Sequence, residues 1–294
     1  MKLGIVSKKE VNGDLFLERG MLGTNQVLKL TRELCIGCGV CVTVCPQEVP
    51  KLCPPTIKRG RLVKRMLVDF DAQRCTFCGI CVVLCPANAI EIETNGNQSV
   101  MVVESKAFPY LLKEIEIDIG KCRVECNCVC QDACPRGAIE VVTKKTEQGR
   151  TCEIQDININ GKLCIFCKKC EPACPQHAVS VTRPFIGSVE LKAKSCPEGC
   201  QACVDVCPSK TVSLDTNGKP AIDERFCIYC GACQEVCPEK AIFLNRTRIL
   251  HTDVSSGAWI AALEKLTSRS QLVKELTSRA RKKLREAALG KGRL

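Results

Sequence analysis

Aromatic side chains are nearly missing from this chain of 294 residues, where one Trp, two Tyr and eight Phe make up 4% of the total. Rings therefore cannot fill the interior of two or three ordinary domains, and something else must form the core. Histidine is scarcer still, with only His177 and His251. No stretch approaches ~18 uninterrupted apolar residues, which excludes a helix that crosses a membrane. The start, "MKLGIVSKKEVNGDLF", has no apolar run followed by a small-residue cleavage site, so a cytoplasmic protein is expected. A Gly-rich dinucleotide or phosphate loop of the required form is missing, and with it a recognisable catalytic constellation.

Cysteine is what the chain has instead, at 27 residues. In a short secreted chain that share would suggest a disulfide scaffold, but in a reducing cytoplasm clustered thiols hold metal rather than one another. The odd count also forbids complete pairing. The cysteines fall into six units. Four have the spacing C-x-x-C-x-x-C-x-x-x-C-P: Cys35, Cys38, Cys41, Cys45; Cys75, Cys78, Cys81, Cys85; Cys164, Cys167, Cys170, Cys174; and Cys227, Cys230, Cys233, Cys237. The fifth in chain order, "CPEGCQACVDVCP", lengthens the first gap by one and uses Cys196, Cys200, Cys203 and Cys207. The third, "CRVECNCVCQDACP", offers Cys122, Cys126, Cys128, Cys130 and Cys134, one more than a unit needs. By analogy with the fifth unit, Cys122, Cys126 and Cys130 serve as its first three donors and Cys128 is left over; Cys128 in place of Cys126 is the alternative. Cys53 and Cys152 stand alone.

Three cysteines at intervals of three let a tight loop wrap one face of a cubic 4Fe-4S cluster, with Gly37, Gly39, Gly79 and Gly231 easing the close backbone approach. The fourth cysteine lies beyond a short helical turn and reaches the cluster of a partner unit, and the proline after it redirects the chain. Zinc also takes four thiolates, but its ribbons use two separated C-x-x-C pairs. Six 4Fe-4S clusters are expected, with Ile36, Phe77, Ile165 and Ile228 screening them from water. His177 reads as a surface residue, not a Rieske-type ligand, because its unit already has four cysteines.

Short β-like runs precede most units ("MLVDFD", "EIEID", "SVELKAK", "PAID") and follow most C-P pairs ("AIEIET", "AIEVVT", "HAVSVT", "AIFLN"), as expected of α+β domains of the bacterial two-cluster ferredoxin type. "DTNG" at 215–218 predicts a hairpin turn. Pairing in chain order gives three such domains, at 20–106, 107–183 and 184–254, followed by a helical docking tail at 255–294. Cys35, Cys38 and Cys41 then share a cluster with Cys85, and Cys75, Cys78 and Cys81 with Cys45. The later units pair the same way: Cys164, Cys167 and Cys170 with Cys134, the third unit's donors with Cys174, Cys196, Cys200 and Cys203 with Cys237, and Cys227, Cys230 and Cys233 with Cys207. A nested pairing, the fourth and fifth units inside the third and sixth, is the alternative.

The formal net charge is +11, which taken alone suggests nucleic acid or an anionic membrane. Each oxidised cluster with its thiolates carries about 2−, so six of them bring the total to about −1. The basic excess therefore reads as neutralisation, and neither nucleic acid nor membrane is an expected partner. Lys168 and Lys169, inside "CKKC", either tune a cluster or sit on a solvated loop.

A row of one-electron centres without a chemical site is a wire and not an enzyme. The six units, the linker "AFPYLLKEIEID", the stretch "FIGSVELKAKSCPEGCQACVDVCP" and the tail "WIAALEKLTSRSQLVKEL" together resemble the archaeal polyferredoxins of tungsten- or molybdenum-dependent formylmethanofuran dehydrogenase. That resemblance implies an electron-transfer subunit of an oxidoreductase complex in methanogenesis. Its partners would be the molybdopterin catalytic subunit and a small ferredoxin subunit, with heterodisulfide reductase as external donor or acceptor during reversible reduction of carbon dioxide to formylmethanofuran. Six units, where well-known members have eight, imply a shorter wire. Rival readings are a polyferredoxin of a hydrogenase complex and an iron–sulfur regulatory or nucleic-acid-binding protein, for which only the tail offers a basic element. In that tail Ser268 and Gln271 form a capping-box pattern opening a helix with Leu272, Leu276, Ala280 and Leu284 on one face, suited to docking in a partner's groove.

Overall fold

The computed structural model describes residues 5–145, 152–254, 256–267, 277 and 281. It opens with an antiparallel meander, β1 (Ile5–Val11), β2 (Asp14–Met21) and β3 (Thr24–Leu30). Asn12 and Gly13 turn the first hairpin at φ 52° and 85°, the left-handed pair that a two-residue hairpin loop requires. The alternation in β2 and β3 puts Leu15, Leu17, Leu28 and Leu30 on one buried face. After β3 come α1 (Val40–Val44), β4 (Pro50–Cys53), the hairpin β5 (Thr56–Lys58) and β6 (Arg61–Lys64), β7 (Leu67–Phe70), α2 (Ile80–Val83), β8 (Ile90–Thr94), β9 (Asn97–Gln98) and α3 (Met101–Glu104). The next stretch holds β10 (Glu114–Ile117), α4 (Val129–Asp132), β11 (Ile139–Lys145), β12 (Cys152–Ile159), α5 (Cys170–Ala173) and β13 (Val179–Thr182). The last holds β14 (Phe185–Leu191), α6 (Ala202–Val206), β15 (Val212–Leu214), β16 (Pro220–Ile222), α7 (Ala232–Val236), β17 (Ile242–Ile249) and α8 (Gly257–Leu266).

One pairing rule recurs three times. The strand before one cysteine unit pairs antiparallel with the strand after the next, as β3 with β8, β10 with β13 and β14 with β17. The two strands between the units pair with each other, as β4 with β7, β11 with β12 and β15 with β16. The two short helices of each pair also meet, α1 on α2, α4 on α5 and α6 on α7. This near-twofold arrangement carries the fourth cysteine of each unit back to the loop of its partner. All eight β-like runs flanking the units are strands, and Asp215 caps the 215–218 turn by accepting from the amides of Asn217 and Lys219.

Two findings depart from the sequence reading. A domain starting at 20 would cut through β2, whose pairing with β1 and β3 makes residues 5–19 part of the sheet that includes β8. Side chains also contribute more to the core than the scarcity of rings suggests. Leucines of the meander pack with Met66, Phe70 and Phe77 beside Cys35 and Cys41. Around β10 to β13, by contrast, the buried set is small and mostly aliphatic, with Ile139, Val179 and Val181 against Cys130, Cys170 and Cys174.

The three stretches touch each other. Ile36, Ile165 and Ile228, each following the first cysteine of its unit, share one buried cluster. The β5–β6 hairpin lies on α6: Arg61 makes a two-pronged bond to Asp205 at 2.9 and 2.8 Å, and the Gln201 amide donates to the Gly60 carbonyl at 2.7 Å. α8 is capped by Ser256, whose hydroxyl accepts from the Trp259 amide at 3.0 Å, and packs Trp259, Leu263 and Leu266 against Val40, Val44, Phe108 and Tyr229. This much of the tail folds onto its own chain. Of the helix expected from Ser268 onward, only Thr277 and Arg281 are among the described residues, both helical; Ser268, Gln271, Leu272, Leu276, Ala280 and Leu284 lie outside them.

Candidate iron–sulfur sites

Each regular loop needs backbone in the left-handed region. Gly37 sits at φ 68° with Met66 Cβ only 2.7 Å from where a β-carbon would stand, and Gly79 at φ 86° with Val100 Cγ1 at 2.6 Å. Any larger residue would there push the loop off its packing. Helices α1, α2 and α7 start from left-handed Gly39, Gly79 and Gly231, and Cys128 takes that same left-handed place before α4, at φ 55°.

The sulfurs gather in fours. Three small, partly open spaces of about 20 Å³ are each lined by three cysteines of one unit and the last cysteine of another. These sets are Cys35, Cys38, Cys41 with Cys85; Cys75, Cys78, Cys81 with Cys45; and Cys164, Cys167, Cys170 with Cys134. The other sets show in their mutual electrostatics. Cys122 and Cys130 feel Cys126 and Cys174, Cys203 feels Cys200, Cys196 and Cys237, and Cys233 feels Cys230, Cys227 and Cys207. Among the described residues, no three His, Cys, Asp or Glu converge tightly enough for a single metal ion. A space lined by four thiols suits an inorganic core that takes a thiolate at each corner. Ile36, Phe77, Ile165 and Ile228 are all buried beside these sets, whereas Cys53 and His177 are exposed.

Burial dominates the thiol chemistry, pushing Cys170, Cys203 and Cys230 up to about 12 from the ordinary 9.0, with neighbouring sulfurs adding to the rise. Four buried thiols in one pocket resist ionising together, and a polycation at their centre reverses that cost. Cys207 differs: burial opposes its ionisation too, but the hydroxyl and amide of Thr211 and the hydroxyl of Ser209 outweigh it and hold the thiol below its ordinary value.

Cations lie between the sets. Lys113 donates to Asn88 Oδ1 at 2.7 Å, and Asn88 in turn donates to the Cys164 carbonyl at 2.9 Å. Burial pulls the Lys113 pKa down while Cys85 and Cys164 hold it up, so this ammonium stands between two sets. Arg246 donates to the carbonyls of Tyr229 and Cys230 at 2.9 and 2.7 Å; burial lowers its pKa, opposed by Cys38, Cys230 and Cys227. Cys38 and Cys230 also feel each other directly. Lys168 pairs with Glu171 at 3.2 Å. Lys169 donates to the Lys210 carbonyl at 2.9 Å and favours the thiolate of Cys167. None of these cations except the "CKKC" pair was marked by motif spacing, because each reaches its sulfurs across the fold.

Repeated four-cysteine sites on a two-unit α+β frame define an iron–sulfur protein of the electron-transfer class. The family model for the 4Fe-4S dicluster domain matches residues 34–89, 163–211 and 195–241. The irregular third unit lies outside those matches. The chain is similar over 91% of its length, at 29% identity and a TM-score of 0.78, to a chain of the formate dehydrogenase–heterodisulfide reductase–formylmethanofuran dehydrogenase complex from Methanospirillum hungatei, of which it covers 93%. It is also 45% identical over 51 residues to one subunit of the ion-translocating oxidoreductase complex of Methanosarcina acetivorans, a match to 17% of this chain and 18% of that protein. The chain thus spans under a fifth of the length of that curated relative. No helix among the described residues is long and apolar enough to cross a membrane.

Proposed function

We propose that the chain is a polyferredoxin, a non-catalytic relay subunit of a formylmethanofuran dehydrogenase complex that holds six 4Fe-4S clusters on the 24 cysteines of its six units. The observation that carries this reading is the adjacency of the four-sulfur sets, with Cys38 beside Cys230 and Lys113 between Cys85 and Cys164. Each cluster, when bound, takes and releases one electron at a time. The residues around the sets supply the rest: isoleucines exclude water, backbone amides donate to sulfur, and Lys113 and Arg246 balance negative charge where neighbouring sets approach. In this reading three ferredoxin domains meet, with boundaries near residues 106, 183 and 254, and the sets run in chain-order pairs. The likeness to a chain of the Methanospirillum hungatei complex over nine-tenths of both lengths supports the choice of partner. In this reading the assembly is cytoplasmic and electrons pass between a molybdopterin subunit and heterodisulfide reductase. Anaerobic purification of the native protein tests this assignment. Recovery with formylmethanofuran dehydrogenase subunits is expected, and recovery with hydrogenase subunits in their place would show that the same relay serves another enzyme.

A further inference from the structure

All six Cys-Pro turns are built alike. In each, the cysteine sulfur accepts the amide of the residue four positions on: Val49 to Cys45 at 3.4 Å, Ala89 to Cys85 at 3.3 Å, Ala138 to Cys134 at 3.2 Å, Ala178 to Cys174 at 3.3 Å, Thr211 to Cys207 at 3.4 Å and Ala241 to Cys237 at 3.3 Å. The residue before that amide is left-handed every time, with φ between 48° and 61°. Six copies of one turn in one chain make an internal comparison, and only one copy departs from the rest. The fifth unit has Ser209 and Thr211 where the other five carry no hydroxyl at either place. Thr211 Oγ1 lies 3.3 Å from Cys207 Sγ and Ser209 Oγ lies 3.6 Å from it, with 3.3 Å between the two hydroxyls. Ser209 and Thr211 are buried, at 1% and 5% exposure, and only Gln26 joins them as a buried polar residue among those described.

Two hydroxyls buried away from water need acceptors, and a metal-bound thiolate accepts only. Thr211 therefore donates to the sulfur, while Ser209 donates either to the sulfur or to Thr211 Oγ1, which strengthens the Thr211 bond. Hydrogen bonds to a ligand sulfur withdraw negative charge, and they favour the form carrying the extra electron because its sulfurs are the more negative.

We propose that Ser209 and Thr211 are positioning residues that raise the reduction potential of the cluster held by Cys227, Cys230, Cys233 and Cys207 above the value it would have with the hydroxyl-free turn of the other five units. The proposal rests on the reading of Cys207 as the fourth ligand of that set. Cys230 of this set adjoins Cys38 of the first unit, and Arg246 spans both.

The test is an anaerobic redox titration of the iron-loaded full chain, with dithionite and mediators, followed by electron paramagnetic resonance. Wild type is compared with Ser209→Ala/Thr211→Val, which keeps the Thr211 amide, and with Thr211→Ser, which keeps a hydroxyl. The step read is uptake of one electron from dithionite with no bond broken. The double variant should keep its full iron and show one cluster whose reduced-to-oxidised ratio at fixed potential falls about tenfold, or 59 mV for one electron. The other clusters should not move, and Thr211→Ser should restore the wild-type value. Full iron with no midpoint moved, or with all moved together, would overturn the proposal. If the double variant loses a cluster, Ser209→Ala alone is read by the same criteria. Full iron in Cys207→Ala would instead remove the ligand reading on which the proposal rests.

Discussion

At the scale of single residues, backbone shape favours one donor in the crowded third unit. Cys128 stands at the left-handed helix-start position that Gly39, Gly79 and Gly231 fill elsewhere, while Cys126 is the sulfur felt by Cys122 and Cys130. Cys128→Gly should therefore keep all its iron and gain up to about 1 kcal/mol, the ~1–2 kcal/mol cost of a side chain at positive φ less the ~0.5–1 kcal/mol entropy of glycine, measured by iron analysis and chemical unfolding. Cys126→Ser should lose about four iron atoms per chain, and the reverse pattern would exchange the two roles. A second expectation concerns pH. In the metal-free chain Cys170, Cys203 and Cys230 rise from 9.0 to about 12 on folding. A raised thiol pKa stabilises the fold fully below the unfolded value and loses that effect as pH climbs through the folded value. Urea midpoints of metal-free protein should fall between pH 9 and 12, and a rise there would contradict the burial described. The donors were legible in the sequence because metal ligation fixes their spacing. Ser209, Thr211, Lys113 and Arg246 were not, because a hydroxyl or cation near sulfur leaves no periodic mark.

At the scale of elements, the strands flanking each unit were legible because each is a short apolar run bounded by a turn or a cysteine. The meander β1–β2 was not, although Asn12–Gly13 is a strong hairpin signal. β1 carries Lys8, Lys9 and Glu10 on exposed positions, and little alternation survives to mark it. The β5–β6 hairpin is likewise mostly polar, and its place depends on Asp205, 144 residues from Arg61. In the tail, expected to be helical over 255–294, the helix that starts after Ser256 has no capping box, since its third following residue is Trp259 where Glu or Gln would stand. Trp259 is fully buried and meets Phe108 edge-on at 5.5 Å. Trp259→Ala should cost about 3–5 kcal/mol in unfolding free energy. Trp259→Phe should cost much less, since the indole Nε1 has no hydrogen-bond partner to lose. Equal losses for the two variants would mean that the ring does not carry the docking of α8.

At the scale of the whole molecule, the stretches are joined by apolar contact around Ile36, Ile165 and Ile228 and by Lys113 and Arg246 between sulfur sets. Residues 268–294 carry nine basic and two acidic side chains, a net +7 of the chain's +11. Deleting them should leave the iron content unchanged and weaken association with the catalytic subunits, read as loss of co-purification. Loss of iron with assembly retained would make that segment a scaffold for its own chain. The central claim, that six pairwise-shared four-cysteine sites each hold a cubic cluster, is tested most directly by anaerobic iron and acid-labile sulfide analysis of the reconstituted full chain. About 24 iron and 24 sulfide per chain are predicted, four of each for every cluster; about six metal ions without sulfide, or zinc in place of iron, would contradict it.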